Sequence, residues 1–256
     1  MSAATTTDVG TIEPIGHDEA IRLAAAEYGR FADLLRQLGP DDWGKPTDCD
    51  RWDVRAVVLH VLGAMEANAS VREMVHQQRR GMAVGKELGG SALDGANEVQ
   101  IRERASLSGD ALVERFATTI ERAVRGRRRF PRPLRGVKMT MPPPWSGKRS
   151  LGWLNDVVYT RDAWMHRIDL ARAVGREPVL TPEHDGRLVA GVVADWAVNH
   201  GRPFHLVLTG PAGGTFVAGD HTEAEAEHHE LDAVEFCRTL AGRAQGPGLL
   251  STEVMF

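Results

Sequence analysis

The segment that follows Ser150, LGWLNDVVYTRDAWMHRIDLARAVG, constrains the fold of this chain more than any other. Leu151, Leu154, Val158, Met165 and Leu170 recur at helical spacing, Ser150 is a polar cap, and Gly175 with Pro178 beyond it is a stop. The spacing predicts one helix from Leu151 to Val174 with an inward apolar stripe, and Asp162 and His166 fall in that stripe. Side chains four residues apart stand one above the other on a helical face, so a carboxylate and an imidazole can converge on one point. Such a pair can grip a metal ion, or it can be a simple ion pair on a charged helix.

Similar patterning recurs upstream. Ile21, Leu23, Ala24, Tyr28, Phe31, Leu34, Leu35 and Leu38 mark an amphipathic helix from His17 to Leu38, ended by Gly39-Pro40. A turn-rich stretch, DDWGKPTDCDRWDV, offers Asp50 or Asp53 as cap for a second helix running through RAVVLHVLGAMEANASVREMVHQ, which carries His60. The glycine-dense stretch from Arg79 to Gly95 reads as a loop, Asn97 to Ala105 as a short helix, and SGDALVERFATTIERAVRG as a further long helix capped by Ser108. The proline-rich GRRRFPRPLRGVKMTMPPPWSG cannot be helical throughout and is a long connection.

After Pro178 the texture changes. Thr181-Pro182-Glu183 opens another helix, FHLVLTG and GTFVAG read as a hairpin turned by Pro211-Ala212-Gly213-Gly214, and HHELDAVEFCRTLAG returns to helical spacing. The expected fold is therefore a four-helix bundle over residues 1–177 followed by a small α+β domain over 178–256.

Composition limits the partners. At 256 residues with 42% hydrophobic side chains the chain can bury a substantial core, and a formal net charge of -4 offers no overall attraction to nucleic acid or an anionic membrane. The N-terminus has no apolar h-region, and no stretch approaches the roughly 18 uncharged apolar residues of a membrane span. Two distant cysteines, Cys49 and Cys237, match neither a zinc ribbon nor a disulfide framework. These features predict a cytoplasmic protein, monomeric or a small homo-oligomer, that acts on small molecules.

His60 lies in AVVLHVLGAM, surrounded by apolar residues and glycine, and is expected to face the bundle interior or its rim. Taken alone, a histidine there is more often a hydrogen-bonded core residue. With Asp162 and His166 it completes a set of three N/O ligands that leaves a position open, the pattern of a catalytic zinc site; iron, nickel or manganese would also suit it.

The motif Asp41-Asp42-Trp43, Pro46-Thr47-Asp48-Cys49, Trp52-Asp53-Val54-Arg55 and His60 resembles the N-terminal domain of the mycothiol-dependent maleylpyruvate isomerase family, a branch of the DinB-like four-helix bundles. Asp162-Ala163-Trp164-Met165-His166-Arg167-Ile168-Asp169-Leu170-Ala171-Arg172 resembles its second signature, and the tail from His205 to Phe256 its C-terminal α+β domain. The resemblance implies a divalent metal, zinc in most members, held by His60, Asp162 and His166, with Asp162 standing where the isomerase proper carries Glu and many relatives carry His. It also implies mycothiol as a thiol cosubstrate held as thiolate, an electrophilic small-molecule substrate, and either cis-trans isomerisation or S-transfer. By the same analogy Arg243, in LAGRAQGPGLL, is expected to bind a carboxylate in the cleft between domains.

Two other functions fit the same fold: a non-catalytic, lipid-carrier-like protein binding a small ligand, and a metal-dependent hydrolase working without a thiol. Cys49 has no visible base and reads as a loop or core cysteine, and Cys237 as packed. The run from Arg125 to Arg135 reads first as a solvated helix end and second as an anion-binding loop. His184, His228 and His229 have no ligand spacing, and Trp43, Trp52, Trp153, Trp164 and Trp196 read as core and boundary residues.

Overall fold

The computed structural model describes residues 6–141, 145, 147–220 and 226–256. They form two compact units, one of His17–Val137 with Ser150–Pro178, the other of Met1–Gly16, Lys138–Arg149 and Val179–Phe256. This division differs from contiguous domains at 1–177 and 178–256, because Met1–Gly16 and Lys138–Arg149 group with Val179–Phe256. Thr6–Asp8 pairs with Thr215–Val217, and pairing between residues so far apart leaves no local periodicity to read.

The helical unit contains α1 (His17–Leu35), α2 (Val54–Ala69), α3 (Val71–Glu87), α4 (Ala92–Arg102), α5 (Gly109–Arg128), α6 (Arg132–Arg135), α7 (Leu151–Trp153) and α8 (Tyr159–Ala173). Helices α1 and α2 each pack on both α5 and α8, which makes these four the bundle. Its core joins Tyr28 and Phe31 of α1, Val57, Val58 and Leu62 of α2, Leu112 and Phe116 of α5, and Ala163 and Leu170 of α8. Phe31 and Phe116 stack with centroids 4.9 Å apart. The Asp53 carboxylate accepts from the Ala56 amide and the Ser108 hydroxyl from that of Ala111, which caps α2 and α5.

The helices depart from the sequence expectation in three places. The second helix stops at Ser70, where an extended backbone (φ -149°, ψ 119°) and a hydroxyl that accepts from the Glu73 amide end α2 and begin α3. The glycine-dense stretch is mostly helical, and its glycines serve close packing: a Cβ on Gly95 would lie 2.0 Å from the Gly81 carbonyl oxygen and 2.3 Å from the Gly85 nitrogen. Thus α3 and α4 press backbone to backbone, and α4 lies against α2. Finally, a π turn at Leu154–Val158 joins α7 to α8. Its extra residue rotates the helix face, so half-buried Leu151 and Leu154 do not extend the stripe of Met165 and Leu170.

The other unit carries β1 (Thr6–Asp8), β2 (Lys138–Thr140), β3 (Lys148–Ser150, whose last residue groups with the helical unit), β4 (Phe204–Thr209), β5 (Gly214–Ala218) and β6 (Glu227–Asp232), with α9 (Arg187–His200) and α10 (Ala233–Leu240). The main sheet has the order β1-β5-β4-β6, and β2 pairs with β3. Strands β4 and β5 form the antiparallel hairpin expected from the sequence, and β1 adds to β5 in parallel. HHELD, expected to be helical, lies in β6, paired in parallel with β4 so that His205 faces His228; α10 starts only after Asp232, whose carboxylate caps it. Trp196 of α9 is fully buried against Phe204 and Phe236. Among the described residues no helix is long and apolar enough to cross a membrane. Pro142, Pro143 and Pro144 of the long connection lie outside the described residues.

Candidate metal centre

Every residue of α8 from Thr160 to Ala171 is buried except Asp162. A helix so enclosed has no solvent face for its polar residues, and each needs a partner. Arg167 finds one in Glu27 of α1, with Nε 2.6 Å from Oε1 and Nη2 3.2 Å from Oε2.

His166 points to α2, where it meets His60. The two imidazoles stand edge to face with centroids 5.1 Å apart. His60 Nε2 lies 3.4 Å and His166 Nε2 3.5 Å from the same carboxylate oxygen, Oδ1 of Asp162. One donor atom from each of the three residues falls within 4.8 Å of the others. The histidine side chains are 6% exposed and that of Asp162 25%, so the cluster is accessible from the Asp162 side.

The far nitrogen of each ring is also engaged. His60 Nδ1 lies 2.7 Å from Gln100 Oε1, and His166 Nδ1 lies 3.0 Å from Asp169 Oδ2. Gln100 reaches His60 because Gly63, one turn along α2, lets α4 approach: a Cβ there would fall 2.5 Å from the Gln100 Cβ. The half-buried indole of Trp52 covers both rings, 4.8 Å from His60 and 5.8 Å from His166 by centroid.

Cys49, read as a loop or core cysteine, stands beside the cluster. Its Sγ is 3.4 Å from Asp169 Oδ2 and 3.9 Å from His166 Nδ1, forming a second group with those residues. Gln100, Gln77 and Asp169 were not anticipated around the site. Their signal in the sequence is a polar residue at a buried position of a helical stripe: Gln100 follows Gly95, Ala96 and Val99, and Gln77 precedes Gly81, Val84 and Gly85.

Arg243 belongs to the other unit, half-buried just after α10, where its Nη1 donates to the Ala241 carbonyl at 3.1 Å. The basic run is only partly a solvated helix end. Arg127 is 1% exposed and donates to Tyr28, Thr160 and the Asn155 carbonyl, and Arg135 pairs with Asp156; Arg128, Arg129 and Arg132 are exposed. His229 lies 3.2 Å from Glu227.

Two solved structures share the fold. The crystal structure of the mycothiol-dependent maleylpyruvate isomerase aligns with a TM-score of 0.57 at 15% identity, covering 93% of this chain and 92% of that one. A histidine-to-alanine mutant of that isomerase aligns at 0.56 with 14% identity and the same coverage. No curated protein matches the sequence. The family model described as the mycothiol maleylpyruvate isomerase N-terminal domain matches residues 24–171, a span that holds His60, Gln100, Asp162, His166 and Asp169. With more than half of its length matched to that model, the chain belongs to the mycothiol maleylpyruvate isomerase family.

Proposed function

We propose that this chain is a mycothiol-dependent metalloenzyme in which His60, Asp162 and His166 hold one divalent cation, zinc in preference to iron, nickel or manganese. The observation that carries this reading is the convergence of two imidazole Nε2 atoms on Asp162 Oδ1 at 3.4 and 3.5 Å. Two nitrogens and a carboxylate oxygen, with Asp162 partly exposed to solvent, suit the donor preferences of a catalytic zinc site. When bound, such a cation lowers the pKa of a coordinated thiol so that it is thiolate near neutral pH.

The chain's own residues orient and enclose the reacting groups. His60 and His166 are held from behind by Gln100 and Asp169, and Trp52 excludes water from one side of the rings. The thiolate sulfur adds to an electrophilic carbon of a small substrate. In isomerisation a carbon–carbon double bond becomes single, rotates, and re-forms as the carbon–sulfur bond breaks and the thiol is regenerated. In S-transfer the carbon–sulfur bond remains and the adjacent carbon takes a proton. Arg243 is proposed to receive a substrate carboxylate, and Arg243→Ala is expected to raise KM for a carboxylate substrate more than it lowers kcat. Family membership favours this reading over a ligand carrier without catalysis.

Metal analysis of the purified and the zinc-reconstituted protein tests the proposal. Stoichiometric zinc, lost together with activity in His166→Ala, is expected; a wild-type protein that takes up no metal in either form would sink it. Incubation with mycothiol and an electrophile bearing a cis double bond, followed by mass spectrometry, separates isomer from S-conjugate.

A further inference from the structure

Behind His60 runs a buried chain of amides. His60 Nδ1 is 2.7 Å from Gln100 Oε1, Gln100 Nε2 is 2.9 Å from Gln77 Oε1, and Gln77 Nε2 is 2.9 Å from both the Gly63 carbonyl oxygen and Glu73 Oε1. His60, Gln100 and Gln77 are at most 7% exposed. Buried amides of this kind must be satisfied by one another, and the sense of each bond is set by its neighbours.

The sense of this chain is fixed at its far end. A backbone carbonyl can only accept, so Gly63 takes an N–H from Gln77. Glu73, ion-paired to Arg104 at 2.7 Å, accepts the other. Both hydrogens of the Gln77 amide are then committed, and its oxygen must accept from Gln100. With its nitrogen turned to Gln77, Gln100 presents its oxygen to His60. Only a protonated Nδ1 can answer that oxygen, and in a neutral ring the bare nitrogen is then Nε2, 3.4 Å from Asp162 Oδ1.

We infer that Gln100, itself held by Gln77, is a positioning residue that locks His60 in the Nδ1–H tautomer and so presents a bare Nε2 to the site. The inference rests on the reading of that site as a cation centre, but the tautomer is a property of the protein before any cation arrives. The carbonyl of Gly63, on the same helix as His60, thus dictates through two glutamines which nitrogen of His60 carries the proton and which is bare.

The experiment pairs two measurements on wild type, Gln100→Leu and Gln100→Glu. The first is the long-range ¹H–¹⁵N histidine spectrum of the metal-free protein, which reports the tautomer of His60. The second is zinc affinity by competition with a chromophoric chelator. Wild type is expected to show His60 as Nδ1–H. Gln100→Leu, which has no acceptor, is expected to lose that single tautomer and to bind zinc about 10- to 100-fold more weakly. Gln100→Glu keeps an acceptor for the Nδ1–H but loses the N–H that Gln77 accepts, so it is expected to retain the tautomer and to bind zinc more tightly than Gln100→Leu.

An Nε2–H ring in wild type overturns the inference without any variant, so failure of Gln100→Leu to fold does not protect it. Unchanged tautomer and affinity in Gln100→Leu overturn it as well. Wild type that shows the Nδ1–H ring but binds no zinc refutes the cation reading alone, and loss of that tautomer in Gln100→Leu then still supports the role of Gln100.

Discussion

His166 shares its Nδ1 with Oδ2 of Asp169 at 3.0 Å, one turn further along α8, while its Nε2 faces Asp162 one turn back. Asp169 is fully buried and also accepts from the Cys49 thiol at 3.4 Å. A carboxylate behind a ligating imidazole fixes its orientation and raises its basicity, so Asp169→Asn is expected to weaken zinc binding by about tenfold or more. Chelator competition measures the effect, with far-UV circular dichroism as control for the fold. Equal affinity in the variant would mean that Asp169 packs against the site without tuning it.

Arg167 lies beside His166 in the chain but faces α1, where Glu27 receives it; the two side chains are 3% and 0% exposed. Breaking a buried pair strands a charge away from water. Glu27→Ala is therefore expected to lower the unfolding free energy by about 3–5 kcal/mol, whereas replacing both partners by apolar residues of similar volume recovers much of that loss. Urea denaturation of the single and double variants tests this, and a double variant as unstable as the single one would contradict it.

The glycines of the helical unit differ in what surrounds them. Gly29 in α1 has nothing within 4 Å of an added Cβ, whereas the Cβ of an alanine at position 95 would lie 2.0 Å from the Gly81 carbonyl oxygen. Gly29→Ala should stabilise by about 0.5–1 kcal/mol through helix propensity. Gly95→Ala should destabilise by about 1–3 kcal/mol as α3 and α4 are forced apart. Thermal melts of the two variants are expected to shift in opposite directions, and a common direction would refute the packing account.

How much of this was legible beforehand depended on whether a feature is local. The stripes of α1 and α5, the caps at Asp53 and Ser108, and the β4–β5 hairpin are written in consecutive residues, and the structure places them where the periodicity predicts. His60, Asp162 and His166 were each visible as polar residues among apolar ones, though their convergence depends on the α2–α8 packing. The α3–α4 pair was hidden because glycine signals both a turn and a close helix contact, and only the facing helix decides between them. The π turn at Leu154–Val158 was hidden because Leu151, Leu154 and Val158 fit an unbroken stripe. Gln77 and Gln100 carry no motif, and their role appears only once three helices place them in line with His60.

Asp156, in the π turn, is a buried acid outside the cluster of His60, Asp162 and His166. Arg135 of α6 forms an ion pair with it, His17 of α1 lies 2.9 Å from its Oδ1, and the amide of Asn155 donates to it at 2.8 Å. Burial works against its charge, but the hydrogen bonds from Arg135, His17 and Asn155 outweigh that and hold its carboxyl below the usual carboxylate range. A carboxylate whose pKa is lower in the folded chain than in the unfolded one stabilises the fold above its unfolded value, and that contribution fades as pH falls through the folded value. Wild type is therefore expected to be more stable than Asp156→Asn at neutral pH, with the difference shrinking below about pH 4, the ordinary range of an aspartate. Urea denaturation of both proteins across that range checks the sign. A difference that stays constant from neutral to acid pH would show that Asp156 does not supply this part of the acid sensitivity.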